Sequence, residues 1–237
     1  MLGGLSQSLQ VGVEAGSRRT FAWVLDWPGW CRSGRGESEA LAALAALAAY
    51  ASRYRPVMVA AGATSLSGAA GGFQVTERLT GSMTTDFGVP GALATADAAA
   101  LTAEAGQRLA VILAAAWELF GEVASPGPLD LSKGPRGGGR DLDQVVAHVL
   151  GADFVYARKL GLRFRAAVQD PKAVAALRHA VCRGLGSPAT LRRGAKGWPP
   201  RYYARRAAWH VLDHAWEIQD RGGPIAGSQE VALANGR

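Results

Sequence analysis

The sequence predicts an α+β protein, with strands confined to the first third of the chain and long helices filling the remainder. Two observations carry this. Residues 9–35 and 71–79 hold β-branched and aromatic runs punctuated by turn residues, whereas residues 101–221 repeat apolar side chains at helical spacing between Gly- and Pro-rich loops. Composition agrees: at 237 residues, with 49% hydrophobic and 19% charged, the chain can bury one large core or two small ones and is not that of a disordered protein.

The elements follow in order. LQVGVEAG and RTFAWVLDWP read as paired strands, with Gly16 and Ser17 supplying the turn between them. ESEALAALAALAAYASRY is a helix by propensity, its Glu37 and Glu39 placed at the positive end of the dipole, and Pro56 is expected to stop it. After a Gly- and Ser-rich connection, GGFQVTERL adds a strand and completes a strand, strand, helix, strand unit over residues 1–80. The stretch TGSMTTDFGVPGALATADAAA is loop-like.

Four helices are then expected. LTAEAGQRLAVILAAAWELFGEVA is capped by Thr102, and the loop SPGPLDLSKGPRGGGR is too rich in Gly and Pro to be helical. The second helix opens at Asp141, where Gln144 three residues on makes a capping box. The third spans about 171–185, opened by Asp170 and Pro171 and closed by Gly184 and Gly186, and the loop SPATLRRGAKGWPP leads into RYYARRAAWHVLDHAWEIQDR. Apolar stripes on four helices predict a bundle over residues 81–237, expected to hold its site without the first unit.

No apolar run approaches the length that crosses a bilayer, and MLGGLSQSLQ lacks the layout of a signal peptide, so a soluble cytoplasmic protein with no membrane association is expected. Cys31 and Cys182 fall in unrelated segments, which excludes a disulfide framework or a CxxC site and leaves two reduced thiols. Charge is uneven: residues 131–237 carry 18 basic and 8 acidic side chains, against 8 and 11 in residues 1–130. A basic half suits an anionic small substrate or an acidic partner. Nucleic acid is not expected, because the aromatics near these charges match no nucleic-acid-binding signature.

Histidine spacing carries the chemistry. His210 and His214 lie four apart and so project from one helix face about a turn apart, while His148 sits inside RDLDQVVAHVLGADFVYARKL. An HxxxH pair alone is equally consistent with two core histidines. A third imidazole on a second helix points instead to one divalent ion with a coordination position left open, as in a catalytic rather than a structural site. His179 has no partner at ligand spacing and is left out.

Around these ligands, Glu217 falls three residues after His214, and Asp213 lies about 100° round the helix from it. Both are candidate acids or bases, with Glu217 alternatively holding an imidazole N–H or pairing with Arg221. Tyr203 and Arg206, at −7 and −4 from His210, share its face, and Arg206 has the forked donors to clamp a carboxylate or phosphate. The flanking loops add Lys133, Arg136, Lys196 and Trp198 as substrate contacts.

Two resemblances bear on these readings. FAWVLDWPGWCRSGRGESEALAALAALAAYA resembles the HicB-type antitoxin fold, in which a β-hairpin with an Asp-x-Pro-Gly turn feeds a helix opening with Glu and Ala; Asp26, Pro28 and Gly29 would serve equally as plain turn residues. That module implies partner binding. AHVLGADFVYARKLG and RRAAWHVLDHAWEIQDR, with one histidine on the second bundle helix and HxxxH on the fourth, resemble the DinB-like superfamily over residues 100–221. This resemblance implies a divalent metal, often zinc or nickel, with activities that include thiol-dependent S-transferases, maleylpyruvate isomerases and hydrolases. Three neutral imidazoles would also accept iron.

The expected function is therefore a metal-dependent enzyme acting on an electrophilic or anionic small molecule. Thiol transfer with a low-molecular-weight thiol cosubstrate ranks ahead of hydrolysis. The alternative is a non-catalytic protein whose N-terminal unit binds a protein partner and whose metal secures the bundle; a homodimer is compatible with either. Helix direction stays open: the second and fourth helices run parallel in an up-down-up-down bundle and opposite in the crossover topology that the resemblance implies.

Overall fold

The computed structural model describes residues 8–49, 53–63, 72–125, 131–133, 139–164, 170–191, 194 and 196–222. Strands β1 (Leu9–Ala15), β2 (Thr20–Val24), β3 (Cys31–Gly34) and β4 (Phe73–Thr80) form one sheet in the order β3-β2-β1-β4. The β1–β2 and β2–β3 pairs are antiparallel, whereas β4 runs parallel to β1 with a register shift between Val11 and Gly12. A parallel pair needs a crossover, and helices α1 (Glu37–Ala49) and α2 (Arg55–Ala60) lie on it. The protein is thus α+β, as its sequence pattern implies.

Three local expectations change. β3 is a strand although CRSG lacks β-branched residues, because it pairs with β2 from Trp23↔Cys31 to Thr20↔Gly34. Pro56 begins a helix instead of ending one. It lies in the first turn of α2, where the N–H it lacks would have had no intrahelical partner. The stretch expected as loop contains two one-turn helices, α3 (Met83–Asp86) and α4 (Thr95–Ala98). It is tied to β1 by the buried Glu14 carboxylate, which accepts from Thr85 Oγ1 at 2.5 Å and from the Gly91 and Ala92 amides at 3.1 and 2.9 Å.

Helices α5 (Ala103–Ala124), α6 (Leu142–Lys159), α7 (Pro171–Gly186) and α8 (Pro200–Arg221) form the bundle. Their caps follow from sequence: Thr102 accepts from the Ala105 amide at 3.2 Å, Asp170 from that of Lys172 at 2.9 Å, and Gln144 from that of Asp141 at 3.0 Å. Contacts along the helices fix their directions. The Trp198 amide, just before α8, donates to Lys159 O at the end of α6 at 2.9 Å, and Arg221 Nη2, at the other end of α8, donates to Arg140 O at 2.7 Å. These two helices are antiparallel.

On the far side, Cys182 Sγ of α7 reaches Ala110 O of α5 at 3.8 Å, and Arg178 stacks over Trp117, so α5 and α7 are antiparallel too. Arg201 near the start of α8 donates to Ala100 O just before α5 at 3.3 Å. The order is therefore up, down, down, up. At Gly106 the α5–α7 approach is so close that a Cβ would stand 1.9 Å from Leu185 O. Midway along, Asp153 of α6 accepts from Trp117 Nε1 of α5 at 3.2 Å and Arg178 Nη2 of α7 at 3.1 Å, joining three helices through one buried carboxylate.

The sheet lies between α1 and α8. Phe21, Trp23 and Cys31 pack with Ala94 and Trp209 of α8 on one face, while Val11, Val13, Ala22 and Val24 join Ala40 and Leu44 of α1 on the other. This second face belongs to a single core that continues through α5, α6, α7 and α8. At the β2–β3 turn, Gly29 (φ +90°) sits so close to α8 that a Cβ would stand 2.4 Å from Leu212 Cδ1. Packing is therefore continuous across residue 80, where the sequence suggested a boundary. Cys31 and Cys182 are unpaired thiols, and among the described residues no helix is long and apolar enough to cross a membrane.

Candidate metal centre

Antiparallel packing of α6 on α8 brings His148 from one helix against His210 and His214 from the other. One ring nitrogen of each falls within 4.8 Å of the other two. The Nε2 atoms of His148 and His210 are 3.1 Å apart, close to the ~3.3 Å expected for two nitrogens each about 2.05 Å from one tetrahedral ion. Ring centroids are separated by 4.7 to 5.0 Å. The four-residue spacing on α8 accounts for the His210–His214 pair, and helix direction accounts for His148.

Two of the three rings are biased toward the neutral form. His210 is 6% exposed, and burial, reinforced by unfavourable electrostatic interactions with His214, His148, Arg206 and Arg140, depresses its pKa to about 2. It is neutral at physiological pH. His148, the most open of the three, is also shifted downward, by burial first and then by Arg140 and His214. Glu217 Oε2 meets His214 Nδ1 at 2.7 Å, so an Nδ1–H donated there leaves the His214 Nε2 lone pair for a ligand. The His214 hydrogen bond, with help from Arg221 at 2.5 Å, holds Glu217 ionised with a pKa of about 2 against the opposing effect of burial. Three nitrogen donors and an orienting carboxylate fit a divalent ion of the zinc or nickel type.

Other candidate residues divide. Arg206 lies beside the centre, 8% exposed, its guanidinium 4.5 Å from the Trp209 ring and 5.6 Å from the Tyr156 ring. Trp198 joins this side with its ring tilted against that of Tyr156, centroids 5.0 Å apart. Asp213 turns away to Arg32 of β3 at 3.9 Å, and Glu217, engaged with His214 and Arg221, is placed to orient an imidazole. Tyr203 is 0% exposed and part of the bundle core, so it lines no open surface. Lys133 is occupied by the Asp141 carboxylate and Gly139 O. Lys196 is exposed on a separate concavity of about 380 Å³ with Arg158, Lys159 and Arg163. Arg136 falls outside the described residues.

Two neighbours escaped the sequence reading. Tyr156, eight residues after His148, places its ring 5.6 Å from that of His210, and Arg140 is near enough to bias both His148 and His210 toward neutrality. The i+8 spacing on α6 was the available signal for Tyr156. Concavities of about 620 and 590 Å³ near the start of α8 and the end of α7 contain none of the three histidines. Comparison with known proteins identifies no matching family model, curated relative or solved structure.

Proposed function

We propose that the protein is a divalent-metal-dependent enzyme in which His148, His210 and His214 hold one zinc or nickel ion, iron being a chemically acceptable substitute. The substrate is an electrophilic or anionic small molecule, and the reaction is transfer to a low-molecular-weight thiol or, next in order, hydrolysis. The carrying observation is the convergence of three histidine ring nitrogens from two helices, one of them oriented by Glu217. No fourth ligand joins this group among the described residues, which favours an open coordination position over a closed structural site. The bound ion would supply Lewis acidity at that position. Protein groups do the rest: Glu217 fixes the His214 tautomer, Trp209 and Tyr156 flank Arg206, and His210 stays unprotonated.

The same reading assigns residues 100–221 to a DinB-like bundle and the N-terminal unit to a HicB-like module. Support comes from the up, down, down, up helix directions and from the Asp26–Gly29 turn that joins β2 to β3 ahead of α1. The test is elemental analysis of purified protein and its single variants. About one divalent ion per chain is expected, most of it lost in His148→Ala, His210→Ala and His214→Ala and retained in His179→Ala. Full occupancy in all three ligand variants refutes the centre. Adduct formation between an electrophile and mycothiol, faster with the loaded than with the stripped protein, supports transfer; metal-dependent turnover without thiol moves the assignment to hydrolysis. Absence of both leaves the partner-binding alternative.

A further inference from the structure

Arg205 and Arg206 are consecutive and both buried, yet only one is neutralised. Arg205 donates from Nε to Asp97 Oδ1 at 3.1 Å and from Nη2 to Asp97 Oδ2 at 2.6 Å and Ala92 O at 2.8 Å, and it stacks on Trp23 and Tyr202. Arg206 has no such carboxylate and is met instead by the Tyr156 hydroxyl and the rings of Tyr156 and Trp209. Its Nη1 is buried without a hydrogen-bond partner, and no carboxylate forms an ion pair with it among the described residues. A buried guanidinium without a counter-ion is unfavourable, and the rings of Trp209 and Tyr156 on either side pin it instead of letting it swing to solvent.

The surroundings say what would complete it. Arg206 stands four residues before His210, about 6 Å along the helix axis from that ligand. Glu217 is already engaged by His214 and Arg221, leaving Arg140 and Arg206 as positive charges around the histidines. Tyr156, whose ring lies 5.6 Å from the guanidinium carbon and 5.6 Å from the His210 ring, spans the gap between the two functions. One unpartnered guanidinium nitrogen between aromatic rings can satisfy an oxygen of a singly charged carboxylate, whereas the three oxygens of a phosphate would call for more donors.

We propose that Arg206, flanked by Tyr156 and Trp209, is a carboxylate subsite, so that the substrate is a small carboxylic acid held beside the three histidines. This rests on the three-histidine reading for the reacting end only. The anion subsite itself is made of this chain's side chains and operates with or without the ion.

Calorimetric titration of full-length protein, zinc-loaded and chelator-stripped, tests it with benzoate, propionate, benzamide and inorganic phosphate. Benzoate or propionate should bind saturably to both forms, and benzamide at least about tenfold more weakly than benzoate. Arg206→Gln should weaken carboxylate binding about tenfold or more with zinc stoichiometry unchanged. Tyr156→Phe keeps the ring and removes only the hydroxyl beside Arg206, and should retain carboxylate binding to within a few fold. Arg206→Lys, which keeps the charge and loses the fork, should fall between wild type and Arg206→Gln, and serves if the glutamine variant fails to fold. Absence of saturable carboxylate binding, equal binding of benzamide, tighter binding of phosphate, or undiminished binding in either folded Arg206 variant overturns the proposal. Zinc binding without carboxylate binding defeats this proposal alone, and carboxylate binding without zinc binding defeats only the metal reading.

Discussion

Replacing Glu217 tests the geometry of the centre without touching a ligand. Its Oε2 sits 2.7 Å from His214 Nδ1, and removing a carboxylate that orients a metal-binding imidazole typically costs about 10- to 100-fold in metal affinity, or about 1.4 to 2.7 kcal/mol. Glu217→Gln keeps an acceptor oxygen and should fall near the lower figure. Glu217→Ala should approach the upper one. Arg221 also loses its partner in these variants, but it retains the carbonyls of Ser132 at 3.1 Å and Arg140 at 2.7 Å, so the end of α8 stays anchored. The control is Asp213→Asn, because Asp213 faces Arg32 at 3.9 Å, and zinc affinity should stay within about twofold of wild type. Competition against a chromophoric zinc chelator at neutral pH measures all three. Unchanged affinity in Glu217→Ala, or an equal loss in Asp213→Asn, would show that Glu217 does not orient a ligand.

Three further outcomes are expected. Metal-free protein should lose stability as pH falls below about 6.5, because the unfolded chain takes up protons that folded His210, with its pKa near 2, and folded His148 resist. His210 alone contributes up to about 1.4 kcal/mol per pH unit in that range, and a flat profile of urea-unfolding free energy between pH 7.5 and 5.5 would contradict its burial as a neutral base. Asp97→Ala leaves Arg205 buried without its counter-ion and should destabilise by about 3 to 5 kcal/mol in denaturant unfolding, a loss under about 1 kcal/mol being incompatible with the pair as described. A chain starting near residue 95 uncovers Trp209, Ala208 and Leu212, which face Phe21 and Gly29 in the full protein. It should therefore be poorly soluble or molten, and a folded, zinc-binding fragment by circular dichroism and elemental analysis would establish an independent bundle.

The parts of this fold legible in sequence are those fixed by local chemistry. Thr102, Asp141 with Gln144, and Asp170 with Pro171 announce helix starts because they satisfy amides within three residues of themselves. His210 and His214 share a face for the same local reason. What stayed hidden depends on distant partners. CRSG becomes a strand only because β2 offers it an edge, and Pro56 can open a helix as readily as close one. Tyr156 could be set beside Arg206 only once α6 was known to run against α8, since two turns toward the end of α6 then correspond to a turn toward the start of α8 from His210. Tyr203, on the expected face, went instead to the core because α8 is covered on more sides than its apolar stripe suggested.

That coverage has a kinetic side. From Tyr202 to Leu212 every residue of α8 is buried, with the sheet against it on one flank and the bundle on another. Backbone amides in such a segment cannot exchange with solvent by fraying or by a local swing, and they exchange only when most of the molecule opens. The helix bearing His210 and His214 is accordingly the slow-exchanging spine of the protein, while His148 comes from α6, which keeps Ala147 and Val155 at the surface. Any breathing at the three histidines is therefore one-sided: His210 stays put, and movement falls to His148 and α6.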